Sequence, residues 1–428
     1  MTQPATQTYQ PAILRNQIIP GISAIDTYIA AGGYEGLRLA LKMPPAEVAK
    51  IVSDSGLRGR GGAGFPTGRK WSFLPPQSSN PRPRYLCVNA DESEPGTFHD
   101  RELIEENPHQ AIEGILITCY ATNIAQAFIY IRGEMKRGAV VLEQTIAEAR
   151  TKGFIGDNIL GSGYGVDIVV HRGAGAYICG EESALLESLE GKRGYPRLRP
   201  PFPAVSGLYA SPTVINNIGT LAHIPPIIRY GADWFKQFGT AKTPGPMIYS
   251  ISGHVERPGN YDTPGGITMN QLVELAGGIR AGHQLKAFIP GGSSAAILPA
   301  EQADLVLDFD SCTAAGTMLG SSAIIVMDET TCMVGAALRM SEFYREESCG
   351  KCTPCREGTY WLVQILERLE HGEGRMEDID LVASVATNIA GKSFCLLGDS
   401  AAPCIVSGIK YWQAEYEAHV TGHGCPFR

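Results

Sequence analysis

The chain is organised around the stretch Ser348-Cys349-Gly350-Lys351-Cys352-Thr353-Pro354-Cys355-Arg356-Glu357-Gly358, in which a cysteine recurs at every third position. An iron–sulfur cluster needs thiolates at its corners, and a short loop with turn residues at Gly350 and Pro354 can supply three of them. No cysteine follows at the close spacing used by two-cluster ferredoxins, so the fourth thiolate must come from elsewhere. The stretch therefore predicts a cluster-binding loop.

Several other cysteines are candidates for the fourth ligand. Cys395 is the first choice, although Cys332, Cys404 and Cys425 also lie in the last third of the chain. The alternative to a cluster is a structural zinc site, which usually takes two cysteine pairs rather than a triplet and a distant single cysteine. The remaining cysteines sit in apolar or glycine-rich runs and are expected to be buried free thiols: Cys87, Cys119, Cys179 and Cys312.

Length and composition limit the class of protein. The 428 residues predict roughly three domains of about 150 residues each. An apolar fraction of 44% and a charged fraction of 19%, without a long apolar run, are typical of a globular protein with no membrane span. We expect no secretory signal at the N-terminus and a reducing compartment for the cysteines. A net charge of −8 and the lack of a basic stripe argue against nucleic-acid binding.

A glycine-rich segment, Gly59-Arg60-Gly61-Gly62-Ala63-Gly64-Phe65-Pro66-Thr67-Gly68, follows a helix predicted to begin at Pro44-Pro45. Glycines let consecutive backbone N–H groups point at an anion without interference from Cβ, and Arg60 and Lys70 can add charge. The segment therefore predicts a phosphate cradle. It is not the Rossmann fingerprint, because a helix rather than a strand precedes it. A flexible surface loop is the alternative.

Strands alternate with helices in the next part of the chain. Apolar runs at 85–89, 127–131 and 166–170 predict three strands of a mostly parallel α/β sheet. The polar turn at 90–96 follows the first strand, at the edge where open α/β sheets bind ligands. The third strand enters a second glycine-rich connection at 171–183, in which Tyr177 is placed to stack on a planar group.

Glu181 and Glu182 lie at the end of this connection and have two interpretations. They are candidate ligand contacts, but acidic residues in a first helical turn are also favoured by the helix dipole. The proline-rich, basic stretch at 191–207 predicts a long functional or mobile loop.

The pattern of predicted strands and helices changes again towards the C-terminus. Strands predicted at 247–252, 287–289 and 323–327, with a helix capped by Thr268, indicate a small β-grasp-like module. From Thr330 onward the apolar spacing is helical, and the cysteine triplet falls between two predicted helices.

Four motifs occur in order: the glycine-rich segment at 59–68, Asn89-Ala90-Asp91-Glu92-Ser93-Glu94-Pro95-Gly96, the connection at 173–182, and the cysteine stretch. Together they resemble the NADH-binding flavoprotein (51-kDa, F-type) subunits of respiratory complex I, over nearly the whole chain. The resemblance implies an α/β fold in four parts: 1–75, an arm, helix and glycine-rich loop; 76–240, a Rossmann-like FMN and NADH domain; 241–329, a ubiquitin-like β-grasp domain; and 330–428, a helical bundle carrying a [4Fe–4S] cluster.

The resemblance also implies site residues. FMN is expected to contact the backbone of the cradle and a set of polar residues, namely Gly59, Arg60, Gly61, Gly62, Lys70, Asn89, Asp91, Glu92, Tyr177, Gly180, Glu181, Glu182, Asn216 and Asn217. Phe65 and Phe73 are expected to stack on NADH, while Glu94 and Glu182 hydrogen-bond it. The expected cluster ligands are Cys349, Cys352, Cys355 and Cys395. Arg199 stands where many relatives have lysine, so a nucleotide contact there is not assigned.

The implied activity is NADH dehydrogenation. A hydride passes from nicotinamide to flavin N5, with the two rings held roughly 3–3.5 Å apart, and two single electrons then leave for the cluster. No side chain needs to act as acid or base. We hypothesise that the carboxylates near the flavin repel the extra phosphate of NADPH and so favour NADH.

The implied partners are a thioredoxin-like [2Fe–2S] subunit and a larger iron–sulfur subunit of a quinone-reducing complex. Membrane association would then run through partners, on the cytoplasmic side of the inner membrane in a prokaryote. The alternative enzyme is the diaphorase subunit of a soluble NAD-linked formate dehydrogenase or hydrogenase. A non-catalytic scaffold with zinc at the cysteines is the alternative from another class.

Overall fold

A parallel sheet of four strands forms the centre of the first half of the chain. The structure is a computed structural model and describes residues 9–427. The strands are β1 (Tyr85–Ala90), β2 (Gln126–Ile131), β3 (Asp167–Arg172) and β4 (Thr213–Asn217), in the order β3-β2-β1-β4. The three strands predicted from the sequence are confirmed to within two residues at their ends. β4 was not predicted.

The strand order creates a ligand-binding edge. β1 lies between β2 and β4, so the connections that leave the sheet around β1 go in opposite directions, and a crevice opens between the carboxyl ends of β1 and β4. The register places Asn89 beside Asn217 at that edge. The polar turn after β1 therefore lies at the switch point, as the sequence predicted.

Helices cover both faces of this sheet. They are α1 (Ile25–Ala30), α2 (Glu35–Ala40), α3 (Pro45–Asp54), α4 (Thr67–Trp71), α5 (His99–Glu106), α6 (Pro108–Thr122), α7 (Lys136–Thr151), α8 (Glu182–Leu189), α9 (Pro203–Ser206), α10 (Ile218–Ala222), α11 (Ile224–Tyr230) and α12 (Ala232–Lys236). α6 is buried nearly all round, because it packs on β2 and is covered by α2, α3, α10 and α11. The glycine-rich segment joins α3 to α4, and helical residues precede it as predicted.

A second, mixed sheet follows. Its strands are β5 (Pro246–Gly253), β6 (Gly259–Pro264), β7 (Leu285–Ile289), β8 (Leu298–Pro299) and β9 (Ala323–Asp328), in the order β6-β5-β9-β7-β8. Two helices accompany it, α13 (Met269–Leu275) and α14 (Phe309–Ala314). Thr268 caps α13 through a capping box with Gln271, as its sequence predicted. The sequence did not predict β6 or β8.

The last part of the chain is helical, as predicted. It comprises α15 (Met333–Glu347), α16 (Thr353–Glu370), α17 (Met376–Ile389), α18 (Leu396–Ser400) and α19 (Pro403–Thr421). The predicted apolar face of α16 is buried, and the cysteine triplet lies at the turn between α15 and α16. None of the helices in the described part of the chain is both long and apolar enough to span a membrane.

Candidate cofactor and cluster site

Four cysteines line one small cavity at the edge of the helical bundle. Cys349, Cys352 and Cys355 come from the turn and the first residues of α16, and Cys395 is the residue that precedes α18. The prediction that Cys395 lies with the triplet therefore agrees with the arrangement. Cys404 is fully buried in the core of the bundle and is not among the residues around this cavity.

The spacing of these sulfurs favours a cluster over one zinc ion. In a tetrahedral zinc site the ligand sulfurs lie about 3.8 Å apart, given Zn–S bonds of about 2.3 Å. Among residues 9–427, no three of these four cysteine sulfurs lie within 4.8 Å of one another, whereas other groups of ligand atoms in the chain do. The four cysteines thus surround a centre larger than a single ion, as the corners of an iron–sulfur cube require.

The surroundings of the cysteines suit bound thiolates. The Phe394 N–H donates to the Cys352 sulfur at 3.3 Å, and the Ser348 hydroxyl lies 3.1 Å from the Cys355 sulfur. Burial raises the pKa of both Cys355 and Cys395 to about 11. The free thiols would therefore be protonated at neutral pH, and metal binding would displace those protons.

The cradle at 59–68 is closed by backbone hydrogen bonds. The Gly59 N–H donates to the Phe65 carbonyl at 2.9 Å, and Arg58 pairs with Pro66 across the neck of the loop. Gly62 has a φ of +111°, and a Cβ built there would have Gly320 C at 4.0 Å as its nearest neighbour. The backbone of Gly62 is therefore open to a ligand, and only glycine adopts this conformation without strain.

The Arg60 side chain does not lie where the cradle interpretation expected it. Its guanidinium is buried and donates to the carbonyls of Pro244 and Pro246 at 3.2 and 3.1 Å, while its backbone N–H donates to Thr220 Oγ1. A buried guanidinium needs such acceptors, and the adjoining start of β5 supplies them. The Arg60 guanidinium was expected to add positive charge near a phosphate; in the structure it instead ties the glycine-rich segment to the start of β5.

Lys70 lies in a network of charges at the start of α8. Its Nζ is 3.0 Å from Glu182 Oε2, and Arg199 bonds both Glu182 and Glu181. Burial by itself would raise the pKa of Glu182, but Lys70 and Arg199 outweigh it and the pKa is lowered. Glu181 caps α8 by accepting from the N–H groups of Ser183 and Ala184. Of the two interpretations of Glu181, its present contacts are those of an acidic residue that stabilises the start of a helix.

Polar groups from two connections meet at the carboxyl end of β1. The Asn89 amide donates to the Gly180 carbonyl at 2.8 Å and accepts from the Asp91 N–H at 3.0 Å. Burial raises the pKa of Asp91 to about 7, although Ser93 donates to its Oδ1. Its Oδ2 is buried and has no hydrogen-bond partner in the described part of the chain. An orphaned carboxylate oxygen at this edge is a place for a ligand donor.

Glu92 differs from its expected role as an FMN contact. Its carboxylate is buried and accepts from the N–H groups of Asp100 and Arg101 at 2.7 and 2.9 Å, so it caps α5. The Asn217 amide donates to Asp100 Oδ2 at 2.5 Å, and Asn216 accepts from the Trp71 indole at 3.0 Å. Glu92 therefore stabilises the first turn of α5. Asn217 and Asn216, at the end of β4, are held in place by Asp100 and Trp71.

Glu94 and Tyr177 join the turn after β1 and the second glycine-rich connection to the rest of the chain. Glu94 Oε1 accepts from the Ser294 N–H and hydroxyl at 2.8 and 2.6 Å, and the Tyr177 hydroxyl donates to Oε2. The Tyr177 N–H donates to Glu347 at the end of α15 at 2.9 Å. Neither contact was predicted: Ser294 lies outside the motifs, and Glu347 directly precedes the cysteine stretch but was given no role.

Phe65 and Phe73 form an aromatic pair beside the cradle. Their ring centroids are 6.0 Å apart, and the two residues are 41% and 49% exposed. Exposed phenyl rings next to a phosphate cradle offer apolar surface to a planar ligand. The open Gly62 backbone, the free Asp91 oxygen and this pair fit a cofactor that carries both a phosphate and a planar ring.

Comparison with known families and proteins agrees with both halves of the site. The Nuo51 FMN-binding domain matches residues 52–226, the SLBB domain matches 248–298, and the iron–sulfur binding region of NADH-ubiquinone oxidoreductase-F matches 335–419. The FMN and [4Fe–4S] predictions are thereby confirmed. The predicted α/β fold class is confirmed as well, and the SLBB match lies in the part of the chain that was predicted to be a β-grasp domain.

Curated relatives share most of their length with this chain. The F subunit of NADH-quinone oxidoreductase in Streptomyces coelicolor is 57% identical over 403 residues, covering 94% of this chain and 89% of the relative. The second F subunit of the same enzyme in Rhizobium meliloti is 52% identical and covers 98% of this chain and 100% of the relative.

A solved structure, the NAD⁺-reducing [NiFe]-hydrogenase in its H₂-reduced state, aligns with a TM-score of 0.82 at 32% identity, covering 98% of this chain and 67% of that one. With relatives above 50% identity over nearly its whole length, the chain belongs to the family of NADH-quinone oxidoreductase F subunits, the flavoproteins that carry FMN and a [4Fe–4S] cluster.

Proposed function

We propose that this chain oxidises NADH at the carboxyl edge of its parallel sheet and delivers the electrons one at a time to the cluster between its helices. The observation that carries the proposal is that residues from the α/β part of the chain line the same cavity as the four cysteines. Ile178 and Pro196, from the flavin side, line the same cavity as the four cysteines. Tyr177, next to Ile178, bonds Glu347 at the end of α15, just before the cysteine turn. Electron donor and acceptor are thus held next to each other.

The chain's own residues bind and orient the reactants. FMN, when bound, accepts the hydride of NADH and releases its electrons singly. The Gly62 backbone and Lys70 hold phosphate, Asn89 and Asp91 fix the orientation of the flavin at the sheet edge, and Phe65 and Phe73 cover the nicotinamide. Hydride transfer itself needs no side-chain acid or base, because the two electrons and the hydrogen move together. The proton left on the flavin would pass to solvent as the electrons depart.

The full set of proposed site residues keeps the residues that the resemblance implied. The cofactor contacts are Gly59, Arg60 through its backbone, Gly61, Gly62, Phe65, Lys70, Phe73, Asn89, Asp91, Glu92, Glu94, Tyr177, Gly180, Glu181, Glu182, Asn216 and Asn217, and the iron ligands are Cys349, Cys352, Cys355 and Cys395. For Glu92, Glu94 and Glu181 the contact requires a shift away from their present partners. The same holds for the Arg60 N–H, which now donates to Thr220 Oγ1.

We also retain four units with boundaries at 75, 240 and 329. The secondary structure supports this division, since the parallel sheet, the mixed sheet and the helices from α15 onward fall within separate units. The first unit begins with eight residues that lie outside the described part of the chain.

The proposed partners are the next electron carriers of a quinone-reducing complex. They are a thioredoxin-like [2Fe–2S] subunit and a larger iron–sulfur subunit, with the assembly on the cytoplasmic side of a bacterial inner membrane. The 57% identity to a quinone oxidoreductase component supports this assignment over the hydrogenase diaphorase, whose structure is 32% identical. Co-purification from the native cell distinguishes them, since a nickel or molybdenum subunit would indicate the soluble alternative.

Anaerobic NADH titration of the purified holo-protein tests the electron path. We expect the flavin absorbance to bleach and the cluster to be reduced in the same titration. In Cys355→Ala the flavin should still bleach, while the cluster signal is lost. A colourless protein that contains zinc but neither iron nor flavin would overturn the proposal.

A further inference from the structure

A second group of metal-ligating side chains lies away from the cluster cavity. Cys332, Glu370, His419 and Cys425 each present one ligand atom, and the four atoms lie within 4.8 Å of one another. None of these residues lines the cavity of the four cluster cysteines. We propose that they bind one zinc ion, which fastens the C-terminal segment to the helical bundle.

The distances between the ligand atoms suit a single tetrahedral ion. The Cys332 sulfur is 3.2 Å from His419 Nε2 and 3.7 Å from Glu370 Oε2, and His419 Nε2 is 3.3 Å from Glu370 Oε2. Zinc bonds of about 2.0–2.3 Å in a tetrahedron place neighbouring ligand atoms about 3.3–3.8 Å apart. The side chains therefore need to move by only a few tenths of an ångström to hold the ion.

The imidazole is oriented for ligation. His419 Nδ1 lies 2.6 Å from the carbonyl of Glu415, one turn earlier in α19, so it carries the ring proton and donates it to that oxygen. Nε2 then presents its lone pair to Cys332 and Glu370. A ligating histidine usually donates its other ring N–H to a backbone carbonyl or carboxylate at zinc sites, and His419 does so here.

Burial and charge favour an ion here. His419 is fully buried and Glu370 is 4% exposed, so both side chains present their ligand atoms away from solvent, where competition from water is weak. Cys332 precedes α15 and accepts from the Gly335 N–H at 3.2 Å, a contact that offsets part of the cost of burying its thiolate. Two thiolates, one imidazole and one carboxylate form a ligand set that zinc prefers over the harder cations.

The fourth ligand is held in place by a close backbone contact. Gly372, just after α16, has a φ of +80°, and a Cβ there would lie 2.1 Å from the His423 carbonyl. The Gly424 N–H donates to the His419 carbonyl at 3.0 Å, and the Phe427 ring lies 4.6 Å from Lys286 Nζ. Cys425 is thereby directed at the other three ligands. With four protein ligands and no open position, the site is structural rather than catalytic.

Metal analysis of the full-length holo-protein tests this site. We expect one zinc per chain in addition to the cluster iron. Cys425→Ser should lower zinc affinity by about 100-fold or more, since changing a group that only hydrogen-bonds a ligand already costs about 10–100-fold. In that variant iron and flavin stay at wild-type content. Cys352→Ser should do the reverse, losing iron and keeping zinc, which excludes zinc that has entered the cluster cavity.

The matched control is His423→Asn, which removes an exposed imidazole from the same segment without touching the four ligands. It should keep the zinc. Three results would each overturn the proposal: no zinc above background after purification from zinc-supplemented cells, zinc lost from Cys352→Ser but not from Cys425→Ser, or a Cys332–Cys425 disulfide found by mass spectrometry of the unreduced protein.

Discussion

The cysteines of this chain have different roles although their chemistry is the same. Four line the cluster cavity, two lie with Glu370 and His419, and Cys404 is packed in the core of the bundle. Spacing alone identifies the triplet, because its members share one turn. The others are distinguished only by where the fold carries them, since their sequence neighbours offer no comparable pattern.

We expect Cys395→Ala to lose the cluster and to keep FMN, because the cube needs a fourth thiolate and the flavin loops belong to another part of the chain. Iron, sulfide and flavin per chain are the measurements. Cys404→Ala is the matched control in the same bundle and should retain iron. Full iron content in Cys395→Ala would assign the fourth ligand elsewhere.

Gly62→Val should abolish FMN binding, since its Cβ would occupy the open side of the cradle and its φ of +111° is unfavourable for valine. Gly163→Val is the control for strain. Gly163 has a φ of +77° and open space around it, but it lies in a turn far along the chain from the cradle. Flavin content after desalting measures the effect. Equal losses in both variants would show a folding defect rather than a lost site.

Charged residues around the site were the least predictable from the sequence. Arg60 was expected near a phosphate and instead donates to carbonyls of the β5 region, while Glu92 and Glu181 cap helices. Helix caps and ligand sites use the same acidic residues at the same strand-to-helix turns, so the residue type does not separate the two roles. The glycines and cysteines were more informative, because few other structures require them.

At the level of elements, the two long strands that the sequence missed lie at sheet edges. β4 has only two strongly apolar residues, and β6 contains glycine, asparagine, aspartate and proline. An edge strand has one hydrogen-bonded neighbour and tolerates such residues, so its pattern can be weak. β3 also lies at an edge, but its apolar run was strong enough to predict it. The central strands, which are buried on both sides, have apolar runs that predicted them to within two residues.

The Glu94 clasp, formed by Glu94 with Ser294 and Tyr177, connects the turn after β1 to the loop between β7 and β8. We expect Glu94→Gln to lower the free energy of unfolding by about 1–3 kcal/mol, because charge-assisted hydrogen bonds from Ser294 and Tyr177 are lost. The same change should reduce the NADH-to-NADPH ratio of kcat/KM, since a repulsive charge is removed. Thermal unfolding and ferricyanide reduction with each nucleotide measure the two effects.

Ser294→Ala serves as its control. It removes one hydroxyl donor to Glu94 and leaves the carboxylate charge, so it should destabilise the protein without changing the nucleotide ratio. If Glu94→Gln leaves both the ratio and the NADH KM at wild-type values, the carboxylate is structural only.

At the level of the whole molecule, a buried histidine lies where the two sheets meet. His223 Nδ1 is 2.7 Å from the Gly219 carbonyl, and Nε2 is 3.3 Å from that of Pro246. Burial, and after it the charge of Arg60, lower the pKa of His223 to about 3. In the unfolded chain the His223 imidazole is protonated below about pH 6.5, whereas in the folded chain it stays neutral down to about pH 3. This contribution to stability is therefore complete above pH 6.5 and decreases as the pH falls towards 3.

His223→Gln should remove that pH dependence, which amounts to at most about 1.4 kcal/mol per pH unit. The measurement is the thermal midpoint between pH 5 and pH 7.5, compared with the wild type. His371→Gln, at an exposed histidine after α16, should leave the dependence unchanged. Parallel curves for His223→Gln and the wild type would show that the His223 pKa is the same in the folded and unfolded chain.

The relative placement of the parts could not be predicted from local patterns. The contact between Tyr177 and Glu347 joins residues 170 positions apart, and that between Glu94 and Ser294 joins residues 200 apart. Each depends on how whole sheets and helices pack, which no single motif records. The sequence predicted that both cofactor regions exist, and the fold places them side by side.

If Glu94 bonds the nucleotide as we propose, the Glu94 clasp links nucleotide binding to the binding of any protein that docks against the Ser294 loop. A nucleotide that accepts Glu94 as a partner must compete with Ser294 and Tyr177 for the same two oxygens. Linkage then requires that a neighbouring protein which tightens or loosens the Ser294 loop changes nucleotide affinity, and that the nucleotide changes the affinity of that protein by the same factor. A measurement of NADH affinity, alone and in the complex, thus reports the coupling free energy between the two.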